Sequence, residues 1–227
     1  MYQGFFEAHI TLKNTEELQN TTNFENFCKD NFIKPIFIEL ERGNTPKQIM
    51  TSSLHKGNFD EVKKEVESLA QKMEAQNYQV IRLKIEAHPE NTGIPITQND
   101  ILEHQKKNYF EAHYKILLPL TDSNSSKKQL VILCQKYQAH LSKNAFKKQK
   151  NNLEERFVTK RIYKAGKKEA YQTFDKLHQE LEKQSYQINK KIIEYCVWDS
   201  NQSVDDNWLT LQEPCHICQS ECKMEIL

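Results

Sequence analysis

Two tandem β-α-β-β-α-β units, together an α+β protein, are expected from three features of the sequence. The string Phe-Glu-Ala-His occurs at residues 6–9 and again at 110–113. Apolar and polar residues alternate around each copy, the period of a half-buried strand. Beyond each copy the same succession of patterns runs: helix, strand, strand, helix, strand. Such a unit is the ferredoxin-like arrangement, an antiparallel sheet with both helices on one face. Two of them predict a bilobal structure with a pseudo-twofold axis.

The elements follow in order. In residues 5–12, Phe6, Ala8, Ile10 and Leu12 share one face, and Glu7, His9 and Thr11 the other. Residues 22–31 read as a short helix that Thr21 or Thr22 caps, with Phe24, Phe27 and Cys28 as its buried stripe. Strands are expected over 35–41 and 48–55, each ended by a Gly-Asn turn. Residues 59–76 place Phe59, Val62, Val66, Leu69 and Met73 at helical spacing. The strand over 79–87 puts Arg82, Lys84 and Glu86 on its polar face. Pro89, Gly93 and Pro95 mark a linker.

The second unit repeats the order. Strands are expected over 109–117, 138–146, 156–163 and 186–197, and helices over 125–136 and 167–184. Short matches tie the units together: Phe27-Cys28 with Leu133-Cys134, and Asn77-Tyr78-Gln79-Val80 with Ser185-Tyr186-Gln187-Ile188. The expected organisation is a first repeat over 1–88, a linker over 89–106, a second repeat over 107–198 and a cysteine-containing tail over 199–227.

Net charge is +1 but uneven: residues 127–191 hold 17 Lys/Arg against 6 Asp/Glu. Such an excess attracts phosphates or RNA, although lysine-rich helix faces are commonly just solvated. No apolar run of about 18 residues exists, which argues against a membrane span. The N-terminus lacks a signal-peptide pattern. A cytoplasmic location with reduced cysteines is therefore expected.

The polar strand faces carry the candidate chemistry. In the first unit they hold Glu7, His9, Thr11, Thr51, Ser53, His55, Arg82, Lys84 and Glu86. In the second they hold Glu111, His113, Lys115, His140, Ser142, Thr159, Arg161, Tyr163, Lys190 and Glu194. Packed sheet to sheet, these faces would form one cleft with His9 and His113 as matched residues. Glu7 and Glu111 are placed to support the histidines. Lys84, Arg161 and Tyr163 are candidates for binding phosphate or a base.

His9-x-Thr11 on the first strand of a duplicated unit is similar to the motif of the 2H phosphoesterases, which include RNA ligase and 2′,3′-cyclic phosphodiesterase families. The resemblance implies a phosphodiester hydrolase acting on a cyclic nucleotide or an RNA end. His9 and His113 would share the acid and base roles, with Thr11 and Lys115 holding phosphate. The second motif departs from the pattern, because Lys115 stands where the family has Thr or Ser. The alternative is a non-catalytic ligand-, RNA- or protein-binding protein on the same scaffold. No cofactor is expected. Only the tail has metal-ligand spacing, in Cys215-His216-x-Cys218 and Cys222, with a flexible reduced tail as the default.

Overall fold

A computed structural model describes residues 1–15, 21–119, 123–145 and 152–208, with residues 123 and 124 described in backbone alone. The first half runs β1 (Gln3–Leu12), α1 (Thr22–Asp30), β2 (Lys34–Leu40), β3 (Lys47–Asn58), α2 (Phe59–Glu74) and β4 (Val80–Ala87). The second runs β5 (Tyr109–Pro119), α3 (Ser123–Lys136), β6 (His140–Asn144), β7 (Leu153–Tyr163), α4 (Lys167–Lys183) and β8 (Gln187–Asp199). Among the described residues the protein is thus a mixed α+β fold of eight antiparallel strands and four α-helices.

Amphipathic patterning explains each layer. Phe6, Ala8, Ile10 and Leu12 of β1 are all buried, and so are Val62, Val66, Ala70 and Met73 of α2. Burying each large apolar side chain is worth roughly 1.5–3 kcal/mol. The start of α2 is fixed locally by a capping box: Asn58 accepts from the Glu61 backbone, and the Glu61 side chain reaches back. Replacing Val66 by Asp would put an unpaired charge under this helix and break the packing. Cys28 and Cys134 lie in the same core as small apolar residues, where burial pushes both thiols up to about 12.

The expected bilobal shape is corrected by the strand order. The eight strands form one closed barrel, β1-β3-β2-β6-β7-β5-β8-β4. Two seams join the halves edge to edge. At one, Ile38, Glu39 and Leu40 of β2 pair with Asn144, Lys143 and Ser142 of β6, and Lys143 meets Glu39 at 2.7 Å. At the other, β4 pairs with β8 from Lys84↔Asp199 to Ala87↔Tyr195. Closure leaves no free sheet edge. It also turns the polar strand faces inward around one space, instead of setting two sheets across an open cleft.

The face assignment of β3 is a second correction. Glu7 pairs with Leu54 and Thr11 with Met50, so Gln48 and Met50 line the interior. Ser53 and His55 point to the helix side, where His55 meets Glu65 of α2 at 2.7 Å. The run Thr-Ser-Ser-Leu-His is polar on both faces, so its alternation leaves the face undetermined.

The stretch expected as a linker is tied down. The backbone of Lys167 and Lys168 donates to Pro95 and Ile96. After β8 the chain turns back, and residues 200–208 cover one end of the barrel. Their side chains enter the interior at Asp205 and Trp208.

Candidate functional site

The barrel encloses a cavity of about 300 Å³. Its lining is unequal around the circumference. The adjacent strands β1, β4, β8 and β5 supply Glu7, His9, Thr11, Arg82, Lys84, Glu86, Glu194, Glu111, His113 and Lys115. The opposite arc supplies Lys34, Ile36, Ile38 and Leu40 from β2, Gln48 and Met50 from β3, Ser142 and Asn144 from β6, and Glu155, Phe157, Thr159 and Arg161 from β7. Most of the ionic residues therefore lie on one arc, and most of the apolar lining, with Lys34, Glu155 and Arg161 among it, on the other.

Register explains the charged wall. Glu7 lies opposite Glu86 and Glu111 opposite Glu194. Like charges set directly across a ladder repel, so this belt of four carboxyl groups needs cations. Lys84 supplies the first. Its ammonium contacts Glu86 at 2.7 Å and also bonds Glu111. Burial pulls the lysine pKa down, but the charges of Glu111 and Glu86 outweigh it and hold the value above the ordinary one. Arg161 supplies the second, at 2.7 Å from Glu111 and 2.9 Å from Asp205. Its guanidinium stacks on Tyr109, 4.6 Å from the ring centre. Burial pushes the Glu111 carboxyl up, but the charges of Arg161 and Lys84 outweigh it and hold it below the usual carboxylate range.

His9 is fixed at both nitrogens. Nδ1 donates to the Thr51 carbonyl at 3.0 Å, while Nε2 lies 3.2 Å from Glu86 and 3.7 Å from Glu7. Burial pulls this imidazole down, but the hydrogen bond and charge of Glu86, aided by Glu7, leave its pKa raised. His113 differs. Its Nδ1 lies 2.8 Å from Thr159 Oγ1, and its Nε2 is 3.8 Å from Glu111. Burial, joined by the positive charges of Lys84 and Arg161, lowers its pKa despite the nearby acids. Glu194 ends the belt. Burial first, then the charges of Glu86 and Glu7, push its carboxyl well above the usual range.

Most of the residues picked from the sequence thus come together: Glu7, His9, Thr11, Lys84, Glu111, His113, Lys115 and Arg161 all line one cavity. Two departures stand out. Tyr163 is 41% exposed, packs on Tyr109 and lies outside the cavity lining. Lys115 lies 3.6 Å from Glu155 and over the Phe157 ring, so it is engaged on its own side of the barrel. Cys215, Cys218 and Cys222 lie outside the described residues.

Sequence reasoning assigned no role to Asp199 or Asp205, and expected of Trp208 only that, with Trp198, it folds the segment before the tail back onto the body. Arg82 makes paired contacts to Asp199 at 2.6 and 2.9 Å and reaches Asp205 at 2.8 Å. Trp208 packs on His140. These residues come from beyond the last repeat, and no periodicity marks them. The signal that existed was Arg82-x-Lys84-x-Glu86, three charges on one strand face.

A metal position exists only in outline. Ligand atoms of Glu86, Glu111 and His113 lie within 4.8 Å of one another. The Lys84 ammonium already contacts both carboxylates, so the protein supplies its own cation there.

No family model matches the chain, and no curated protein matches it. Among solved structures it is similar to the acetolactate synthase small subunit of Thermotoga maritima. The identity is 10%, the TM-score 0.29, and the match covers 87% of this chain and 97% of that one. It is also similar to a protein assigned as a glycine cleavage system transcriptional repressor, at 9% identity and TM-score 0.29, covering 86% and 98%. The expected membership of the 2H phosphoesterases, with the phosphodiester hydrolase it implied, is corrected by the geometry. The symmetric cleft of that reading is a closed barrel, and Lys115 pairs with Glu155 instead of completing a second motif. Among the described residues no helix is long and apolar enough to cross a membrane.

Proposed function

We propose that this protein binds a small molecule inside its barrel without transforming it. The observation that carries the reading is the interior cavity, about 300 Å³, with most of its charged groups on one arc and an apolar patch of Ile36, Ile38, Leu40, Met50 and Phe157 on the other. That volume is at the small end of ligand sites, which pair apolar lining with a few placed polar groups. The charged groups are held by one another: Lys84 by Glu86 and Glu111, Arg82 by Asp199 and Asp205. Such mutual fixing preorganises a binding surface.

The same reading favours a compact polar ligand over the phosphate-bearing molecule or RNA expected from the basic stretch. Lys84, Arg82 and Arg161 each already answer a carboxylate inside the barrel. The repeated order of elements, with β2 joined to β6 and β4 to β8, supports an internal duplication over 1–88 and 107–198. A cytoplasmic location fits the free buried Cys28, Cys134 and Cys196.

The test is a thermal-shift screen of the full chain against a library of small polar metabolites, followed by calorimetry. The expected outcome is a ligand whose binding is lost on filling the apolar wall with Ile38→Trp. No ligand tighter than about 1 mM, or hits that bind the filled variant equally well, would overturn the reading.

A further inference from the structure

Two groups on the cavity wall lack a counterpart, and they are of opposite kind. Arg161 is buried, with its side chain only 5% exposed. Nε bonds Glu111 and Nη2 bonds Asp205, but Nη1 has no hydrogen-bond partner among the described residues. Glu194 lines the same cavity. Among the described residues, no hydrogen bond or ion pair engages its carboxyl group. A buried donor left open, as Arg161 Nη1 is, is costly in a native structure, and its natural explanation is a missing partner; the Glu194 carboxyl is half-buried and reaches the same space.

The two sit in one row. Across β7, β5 and β8 the register reads Arg161↔Glu111↔Glu194. An open donor and an open acid thus flank a carboxylate that is itself already satisfied. Beyond them the lining turns apolar at Ile36, Ile38 and Phe157.

We infer that the ligand is a small zwitterion with an apolar body: its ammonium group meets Glu194, its carboxylate meets Nη1 of Arg161, and its body lies on the β2 wall. This rests on the barrel being a small-molecule site. Charge balance argues for an overall neutral ligand, because the lining holds six carboxyl groups and five lysines and arginines. A polyanion would meet the glutamate belt. A simple amine would leave Arg161 Nη1 open, and a simple carboxylate would leave Glu194 open.

The zwitterion also has a proton signature. Glu194 faces Glu86 and Lys84 of β4, Glu7 of β1 and Glu111 of its neighbour β5, with His9 beyond Glu86. Burial and these neighbouring carboxylates raise its carboxyl, so it keeps its proton to a higher pH than a free glutamate does. An arriving ammonium stabilises the carboxylate form, so the proton leaves to solvent as the ligand binds.

The experiment is calorimetric titration of the full chain with leucine, 3-methylbutylamine and 4-methylpentanoate, each in two buffers of different ionisation heat. Leucine is expected to bind at least about tenfold tighter than either half-molecule, since each lacks one charge-assisted contact. Its binding releases protons. Glu194→Gln abolishes that release and weakens leucine about tenfold, while circular dichroism shows the variant folded. Arg161→Lys, which keeps the charge and loses the fork, weakens leucine and 4-methylpentanoate but spares 3-methylbutylamine. Equal binding by either half-molecule, no binding by any of the three, or unaltered proton release in Glu194→Gln overturns the inference. A ligand of another class that Ile38→Trp excludes would sink the zwitterion and leave the barrel site standing.

Discussion

Asp205 and Arg82 lie 123 positions apart in the chain and meet at 2.8 Å. The same carboxylate lies 2.9 Å from Arg161 and accepts from Gln48 at 3.0 Å. One residue of the segment after β8 thereby joins β4, β7 and β3 at one end of the barrel. Asp205→Ala should destabilise the protein by about 3 kcal/mol, because removing one partner leaves buried charges short of compensation. Arg82 keeps Asp199 and Arg161 keeps Glu111, which places the loss at the low end of the usual range. Chemical denaturation measures it. A loss under about 1 kcal/mol would mean the segment is not anchored by this contact.

The two matched histidines should titrate apart. His9, beside Glu86 and Glu7, is raised above 6.5, and His113, buried near Lys84 and Arg161, is lowered below it. By linkage, the stabilisation from protonated His9 is fully present below pH 6.5 and disappears as pH rises through its folded value. His113 acts oppositely: stability is lost as pH falls below 6.5 toward its folded value. Histidine ring signals followed by NMR across pH 4–9 check this. Coincident titrations would refute the asymmetry.

Glu194 makes a separate pH prediction. Its folded pKa is raised well above 4.5, so the folded state holds the proton more tightly. The stability this gives is complete below 4.5 and falls as pH rises toward the folded value. Glu194→Gln removes the titration. Its midpoint of thermal unfolding should match wild type near pH 4 and exceed it near pH 9, by a few degrees. The opposite ordering at high pH would show that the carboxylate is welcome where it stands.

Gly166 precedes α4 and lies against the segment between the halves. A Cβ there would sit 2.2 Å from the Thr97 carbonyl carbon. The obstacle is backbone, so it cannot rotate aside. Gly166→Ala should cost about 1–3 kcal/mol through forced displacement, read from urea midpoints. A neutral substitution would show that the contact between Thr97 and Gly166 is slack.

Much of this molecule is legible in its residues. Phe6, Ala8, Ile10 and Leu12 announce a strand with one buried face, and Val62, Val66 and Met73 a helix lying on it. The two copies of the Phe-Glu-Ala-His string lie in β1 and β5, and His9 and His113 both reach the cavity. Short-range periodicity decides such matters because 2.0 and 3.6 residues per repeat are set by the backbone itself. It failed at β3, where polar residues on both faces left the direction of Ser53 and His55 open.

By itself the sequence determined the elements, their order and the inward or outward face of the strands with clean alternation. Only the tertiary structure decided that β2 joins β6 and β4 joins β8, so that two sheets become one barrel. It alone set Glu7 against Glu86, placed Lys84 between Glu86 and Glu111, and brought Asp205 to Arg82 and Arg161. The physical reason is range. Alternation fixes which way a side chain points, whereas the neighbour it meets depends on strand order and register across the whole chain. The charge state of each group in the cavity then follows from those neighbours.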